Sequence, residues 1–177
     1  MSQLTDRMIR AAKLDVNLYE EVEADTTAIG QAMTVVVLSS VAAGIGSIGR
    51  GGAVGLVIGI IGALVGWFVW AFVTYYIGTK LLPEPQTRAD HGELLRTIGF
   101  SSSPGILRII GIVPGLYMLI NFITGIWMLV AMVIAVRQAL DYKGTGRAIL
   151  VCIIGWVAYL VFIIAISMVF GGMAALL

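Results

Sequence analysis

The stretch that decides the fold is residues 52–77, "GAVGLVIGIIGALVGWFVWAFVTYYI", which contains no charged side chain. A helix needs about 20 mostly apolar residues to cross a membrane. The whole chain of 177 residues is 59% hydrophobic and 12% charged, whereas soluble domains carry about 25% charged residues. A water-soluble fold could not bury this much apolar surface, so the composition predicts an all-α integral membrane protein.

Other apolar stretches of similar length occur on both sides of this one: Ala28–Ile48, Leu116–Val136 and Ala148–Phe170. The stretch Leu94–Val113 is more polar. Its serines can bond to their own helix backbone, and membrane helices tolerate a proline such as Pro104. The sequence therefore predicts five transmembrane helices in a domain over residues 27–177, preceded by an N-terminal arm over residues 1–26.

The distribution of basic residues predicts how these helices are oriented. With the N-terminus in the cytoplasm, nine basic residues lie inside, and they are Arg7, Arg10, Lys13, Lys80, Arg88, Arg96, Arg137, Lys143 and Arg147. Only Arg50 and Arg108 lie outside. Cytoplasmic loops of membrane proteins carry such an excess of Lys and Arg. Four helices would instead place the basic loop after the fourth helix outside, so the charges favour five spans with N-in and C-out topology.

The N-terminal arm contains the segment "LTDRMIRAAKL" at residues 4–14. On a helical wheel Arg7, Arg10 and Lys13 fall on one arc, and most apolar residues fall on another. A basic amphipathic helix beside a membrane attracts anionic lipid headgroups. We expect a short interfacial helix in which these three side chains contact headgroups at the inner face, with a frayed tail as the alternative.

A cluster of carboxylates, Glu20, Glu21, Glu23 and Asp25, comes directly before the first apolar stretch. Asn17 and Glu20 have the spacing of a helix cap and its partner. Asp25 suits the N-cap of the first span, where its carboxylate accepts hydrogen bonds from unpaired backbone N–H groups. The other three acids are interpreted as a solvated face, with a docking or metal site as the alternative. A calcium site would need about six to eight oxygen ligands.

Three segments carry a resemblance to a known family: "MIRAAKLDVNLYEEVEADTTAIGQAM" (8–33), "HGELLRTIGFSSSPGILRIIGIVPG" (91–115) and "IWMLVAMVIAVRQALDYKGTGRAI" (126–149). Together they resemble the prokaryotic branch of the Yip (Ypt-interacting protein) domain family. The resemblance implies a five-span fold with a cytoplasmic N-terminus, and a compact, glycine-rich chain of this branch implies the bacterial plasma membrane. Eukaryotic members are associated with Rab-type GTPases. This chain lacks their longer acidic, proline-containing arm, so that role is not carried over.

The residue types needed for chemistry inside the membrane are scarce. His91 lies in the loop before the third span, and the serines at 101–103 have no base beside them. We therefore predict no catalytic residues, no metal and no cofactor, and a net charge of +1 gives no indication of a nucleic-acid partner. Arg108 lies near the outer end of its span, where its side chain can extend to the headgroups, with an ion path as the alternative.

Helix two carries glycines at three- and four-residue steps, namely Gly55, Gly59, Gly62 and Gly66. Such a stripe lets another helix approach closely. We favour packing within the chain over an interface with a second copy or a larger membrane complex. Three functions follow in order of preference: a non-enzymatic scaffold or organiser at the inner membrane face, an accessory subunit of a larger complex, and a small transporter or channel.

Overall fold

The computed structural model describes residues 2–47 and 52–174, which form helices and no strand. The α-helices of these ranges are α1 (Gln3–Ala12), α2 (Val16–Ala24), α3 (Ile29–Gly46), α4 (Gly52–Tyr76), α5 (His91–Ser101), α6 (Tyr117–Ala139) and α7 (Thr145–Ala174). Two 3-10 helices, Thr26–Ala28 and Ser103–Ile112, and a π-helix, Ile77–Leu81, extend or join them. The prediction of an all-helical fold is confirmed for this part of the chain.

Three helices are long and apolar enough to cross a membrane by length and composition: Thr26–Gly46, Val54–Leu81 and Tyr117–Ala139. Their mean hydropathies are 1.8, 2.5 and 2.4, and they correspond to three of the five predicted spans. Within α7 the described apolar stretch Thr145–Val161 is shorter than these three helices. The five-span count and the N-in and C-out orientation therefore stay predictions.

The segment Leu94–Val113 is not the single helix that was expected. The α-helix α5 ends at Ser101, and a 3-10 helix continues over Ser103–Ile112. Pro104 has no N–H to donate to an α-helical ladder. The 3-10 helix ends where Val113 takes an extended backbone conformation, which the following Pro114 favours.

This 3-10 helix is held by a seam of small residues against α3. The two rows of the seam are Ala32, Ser39 and Gly46 on α3, and Gly99, Gly105 and Gly111 on α5 and the 3-10 helix. The first row repeats every seven residues and the second every six. Two turns of an α-helix take about seven residues and two turns of a 3-10 helix take about six. The unequal spacings therefore keep the rows opposite each other.

The seam is too close for larger side chains. A Cβ added at Gly99 would lie 2.7 Å from the Cβ of Ala32. A Cβ at Gly105 would overlap the hydroxyl oxygen of Ser39, and one at Gly46 would overlap the backbone of the 3-10 helix. Close contacts at three positions spread along α3 thus fix the position of the broken segment.

The connections between helices divide between two ends of the bundle. The charged end comprises the N-terminal arm, residues 82–90 and residues 140–144, and there the Tyr142 hydroxyl donates to the carbonyl of Leu82 at 2.8 Å. At the opposite end, a Cβ added at Gly111 would lie 3.4 Å from the carbonyl oxygen of Gly46. Accordingly α3 and the broken segment run from the charged end to the opposite end, and α4 and α6 run back.

Buried apolar side chains concentrate in the half of the bundle at the charged end. They come from all seven α-helices, and many of the largest fully buried ones lie on α2, α5 and α6, including Leu18, Tyr19, Leu94, Phe100 and Val136. The outer faces of α4 and α6 are instead apolar and exposed, as at Val54, Ile58, Val65, Met118 and Phe122. Apolar faces of this extent are expected of helices surrounded by lipid.

Candidate functional site

The N-terminal helix α1 packs against the bundle through the side that carries a cation. It begins after Ser2, whose hydroxyl oxygen accepts a hydrogen bond from the Thr5 N–H at 3.3 Å and so caps the helix. Leu4 and Met8 pack on the core. Arg7 lies on the same side and is only 3% exposed, so the helix buries a charged residue along with its apolar ones.

Arg7 is the centre of an ion-pair cluster that joins the arm to α3. Its Nε donates to Glu21 at 2.8 Å, and its Nη2 donates to Asp25 at 2.8 Å. Its Nη1 donates to the amide oxygen of Gln31, in the first turn of α3, at 3.0 Å. Arg10 extends the cluster through Asp15 at 2.8 Å and through Glu21. Three consecutive elements are thereby bonded to one guanidinium.

This geometry corrects the prediction that Arg7 contacts lipid headgroups. Two carboxylates and an amide already occupy its guanidinium, because α2 folds back and brings its acids closer than any headgroup. Arg10 is also engaged in ion pairs. Lys13 is exposed and takes part in no ion pair among the described residues, so a headgroup contact of Lys13 stays a prediction.

Asp25 has two roles at the start of the first apolar helix. Its Oδ1 accepts hydrogen bonds from the Thr27 hydroxyl at 2.6 Å and from the Thr27 N–H at 3.0 Å, which caps the 3-10 turn before α3. Its Oδ2 pairs with Arg7. The Thr27 hydroxyl and then the Arg7 guanidinium lower the pKa of Asp25 to about 2. The cap of α2 differs from the prediction, because Asp15 and not Asn17 occupies that position.

Arg96 fixes the other end of α2 and was not singled out by the sequence. It is 6% exposed, and its guanidinium donates to the carbonyl oxygens of Val22 (2.9 Å) and Glu23. These are unpaired carbonyls of the last helical turn, where a cation also opposes the negative end of the helix dipole. A basic residue inside a mostly apolar α5 was the signal that could have indicated this role.

The acids that remain line a polar cavity of about 670 Å³ at the charged end. Its carboxylates come from α2, α5 and the loop after α6: Glu20, Glu23, Glu93 and Asp141. Arg137 also lines the cavity, and Gln138 donates to Glu20 at 2.8 Å. The predicted solvated face therefore fits the exposed Glu20, while Glu21 is ion-paired and Glu23 lines this cavity.

Glu23 titrates unusually in this cavity. Burial, and then the negative charges of Glu93, Asp141 and Glu20, together raise its pKa to about 8, against a smaller opposing effect of Arg96. Burial also raises the pKa of Glu93. The cavity therefore takes up protons near neutral pH.

Comparison with known proteins bears on what these elements belong to. The sequence profile of the Yip1 domain matches residues 18–166, from α2 into α7. The chain belongs to the Yip1 domain family. No curated protein and no solved structure matches it. The resemblance to the Yip family seen in the sequence is confirmed at the level of the family, and the prokaryotic branch stays a prediction.

The first residue of the matched range lies between Arg7 and the residues that bind it. Glu21, Asp25 and Gln31 lie within the matched range, whereas Arg7 and Arg10 lie before it. In this Yip1 domain protein, α1 therefore supplies cations to acceptors that the domain itself presents. The arm is attached to the domain by ion pairs as well as by apolar packing.

The glycine stripe of α4 makes no close contact with the residues that the structure describes. A Cβ added at Gly55, Gly59, Gly62 or Gly66 would have no atom within 4 Å. The stripe therefore has no close packing partner among the described residues, and its packing within the chain stays a prediction. Close helix contacts of other glycines are made at the seam between α3 and the broken segment, and also at Gly44 and Gly78. An interface of the stripe with another chain stays a prediction.

Arg108 lies within the bundle of this Yip1 domain protein. It is half-buried, and its Nε donates to the hydroxyl oxygen of Thr124 at 3.3 Å. Thr124 lies about two turns inside α6 from its first residue, Tyr117. The side chain thus extends along α6 towards cavities inside the bundle, and a headgroup contact of Arg108 stays a prediction.

Proposed function

We propose that this Yip1 domain protein is a non-enzymatic, multi-pass membrane protein that acts as a scaffold or organiser at the inner face of a bacterial plasma membrane. The observation that supports this role is the construction of the charged end. Segments far apart in the sequence are bonded there into one polar surface on an apolar bundle. Such a surface can hold a partner at a fixed distance from the bilayer.

The bonds across the charged end connect its segments to one another and to the adjoining ends of α6 and α7. Gln138 donates to Glu20, Arg147 pairs with Glu84 at 3.2 Å, and the backbone N–H of Arg88 donates to Asp141 at 3.3 Å. These polar groups cap helices and connect loops, so they stabilise the fold. They give the surface a defined shape and support a binding role over catalysis.

Basic side chains at this end favour contact with anionic lipids. Lys13, Lys80 and Lys143 are exposed there. Each basic residue near an anionic membrane surface contributes roughly 1 kcal/mol of attraction. The proposed partners are therefore the bilayer itself, with its anionic lipids at the inner face, and a membrane-associated protein or a second copy.

Cysteine labelling tests the proposed topology. In a Cys152→Ser background, single cysteines replace Asp90, Pro114 and Leu177; the last lies outside the described residues. Asp90 should be labelled from the cytoplasmic side, and Pro114 and Leu177 from the other side, in right-side-out and inverted vesicles. Labelling of Asp90 and Leu177 from the same side would contradict the five-span count. Labelling of Asp90 from outside would contradict the proposed location of the charged end.

Site-specific photo-crosslinking tests the scaffold role. A crosslinking residue replaces Arg88, exposed at the charged end, or Met118, which is 82% exposed on the apolar face of α6. In intact membranes the scaffold role predicts protein crosslinks from position 88 and lipid crosslinks from position 118. Lipid crosslinks alone from both positions would refute it.

A second candidate function, an accessory subunit of a larger membrane complex, is favoured by the glycine stripe. The stripe has open space beside it, and small residues let a foreign helix approach closely. Native mass spectrometry of gently solubilised membranes separates the two functions. A stoichiometric complex that Gly62→Leu disrupts, and that the exposed control Ile58→Leu leaves intact, would favour the subunit. Monomers or homo-oligomers in all three samples would favour the scaffold.

A further inference from the structure

Arg108 carries a positive charge that pairs with no carboxylate among the residues that the structure describes. Its Nε bonds to Thr124, whose hydroxyl is already donated to the carbonyl of Ile120 at 2.7 Å. The ion pairs of the described residues do not include it. All ten carboxylate side chains are at Asp6, Asp15, Glu20, Glu21, Glu23, Asp25, Glu84, Asp90, Glu93 and Asp141. These positions lie on the arm, at the start of α5 and in the loops of the charged end.

An unpaired cation inside an apolar bundle is unfavourable. Removing an ion from water costs several kcal/mol unless a counter-charge and hydrogen bonds replace the lost hydration. Charged groups within membrane helices are correspondingly rare and mark sites of function. The Arg108 guanidinium has further N–H groups to donate, so a bound anion would offset the cost of its position.

Two cavities meet at this side chain. The larger, of about 530 Å³, is lined mainly by apolar residues such as Trp67, Trp70 and Met132. The smaller, of about 340 Å³, is more polar and includes Ser47 and Asn121. Arg108, Ser40 and Ala63 line both cavities. The combined space is apolar at one end and polar at the other, with the cation between them.

The glycine stripe of α4 forms one wall of this space. Gly55 and Gly59 line the smaller cavity and Gly66 lines the larger one. Gly59 is also exposed at the surface of α4, so the space adjoins the face that we expect to meet lipid. Gly62, on the same stripe, lines neither cavity. An occupant can therefore enter sideways from the bilayer.

We propose that the two cavities bind one anionic phospholipid, with its phosphate on Arg108 and one acyl chain in the larger cavity. Guanidinium groups form paired, charge-assisted hydrogen bonds with phosphate. Ser40, which lines both cavities, and Asn121 add polar side chains around the headgroup position. Ligand sites typically measure about 300–1,000 Å³ and are mostly apolar with a few polar groups. The site does not depend on the proposed scaffold role.

Lipid titration of the purified full-length protein in detergent, read by native mass spectrometry, tests the proposal. Phosphatidylglycerol is the probe, and phosphatidylcholine tests whether net charge matters. Oleate tests a carboxylate amphiphile, and inorganic phosphate tests the headgroup chemistry alone. We expect one tightly bound phosphatidylglycerol, with weaker binding of the other three probes. Equal binding of oleate or of free phosphate would overturn the assignment to a phospholipid.

Matched variants locate the site. Arg108→Gln removes the charge and should weaken phosphatidylglycerol binding at least about 10-fold, while Arg88→Gln, an exposed cation at the charged end, should not. Gly66→Leu keeps the cation but fills the larger cavity and should also weaken binding, while Gly62→Leu should not. Unfolding midpoints measured on each variant identify any that fail to fold. Equal affinity for Arg108→Gln and Arg88→Gln, or equal loss for Gly66→Leu and Gly62→Leu, would refute the site.

Discussion

The Nη2 atom of Arg7 lies 2.8 Å from a carboxylate oxygen of Asp25, and this pair ties the first helix of the arm to the residue that caps the first apolar helix. The two residues are 18 positions apart in the sequence. Because Arg7 is almost fully buried, its charge depends on Asp25 and Glu21 for compensation. The position of the arm is thus coupled to the start of the bundle.

Replacing Arg7 tests this coupling. We expect Arg7→Met to lower the free energy of unfolding by about 3 kcal/mol, at the lower end of the range for a broken buried ion pair because both acids are partly exposed. Lys13→Met removes an exposed cation from the same helix and should change stability by less than about 0.5 kcal/mol. Denaturant unfolding in micelles measures both. Equal effects of the two substitutions would contradict a structural role for the buried guanidinium.

The seam of small residues predicts opposite outcomes for two glycines. Gly105→Ala should be destabilising by about 1–3 kcal/mol, because the added methyl group overlaps the Ser39 hydroxyl in a packed contact. Gly62→Ala has open space and lies within a helix. It should therefore be neutral or stabilising by up to about 1 kcal/mol. Thermal unfolding of the two variants in the same detergent compares them directly, and a more stable Gly105→Ala protein would show that the seam is looser than described.

The raised pKa of Glu23 predicts that the stability of the fold depends on pH. Its folded pKa of about 8 exceeds the value of about 4.3 in an unfolded chain, so the folded state binds this proton more tightly. The resulting stability is complete below about pH 4 and is lost as the pH rises through about 8. Glu93 shifts in the same direction, whereas Asp25, with a lowered pKa, contributes stability that is lost only in strong acid.

The unfolding temperature should accordingly fall between about pH 5 and about pH 9. Glu23→Gln should reduce this slope, with Glu93 accounting for the remainder. Asp6→Asn, which changes an exposed acid on α1 outside the cavity, should leave the slope unchanged. If the slope is the same in wild type and Glu23→Gln, the cavity is not the source of the pH dependence.

Tyr142 bonds through its hydroxyl to backbone carbonyls at the π-helical end of α4. Its hydroxyl donates to Leu82 at 2.8 Å and lies 3.1 Å from the carbonyl oxygen of Gly78. Tyr142→Phe leaves these buried carbonyls with one partner fewer and should cost about 1 kcal/mol or more in unfolding free energy. Tyr76→Phe, at an exposed tyrosine of the same region, is the control. A cost for Tyr76→Phe as large as that for Tyr142→Phe would contradict the assigned bonds.

The sequence predicted the structure best for segments whose surroundings are mostly of one kind, either lipid or water. Long uncharged runs predicted the apolar helices α3, α4 and α6, and the spacing of acid and helix start indicated the cap at Asp25. The broken segment was less predictable, because an apolar stretch is predicted to be α-helical unless the helix that it packs against is known. The sequence did contain a signal, the six-residue spacing of Gly99, Gly105 and Gly111. This spacing can be interpreted only together with the seven-residue spacing of the small residues on α3.

The prediction that Arg7 and Arg10 contact headgroups missed their ion pairs for a related reason. A helical wheel shows that Arg7 and Arg10 share a face of α1, but the wheel contains no information about what that face meets. The acids of α2 were visible in the sequence and could have been paired with these cations by charge alone. The sequence position of Arg108 indicated the end of a span but not the direction of its side chain, which depends on the neighbouring helix.

The unequal steps of the seam also limit how this segment can change. A single inserted or deleted residue between Gly99 and Gly111 would rotate the following glycine away from α3 and bring a bulkier side chain against it. Length variation should therefore accumulate elsewhere, for example in residues 82–90. Three small residues spaced seven apart, followed later in the chain by three spaced six apart, form a sequence pattern. The same backbone arrangement can be sought with it in chains that share little other sequence.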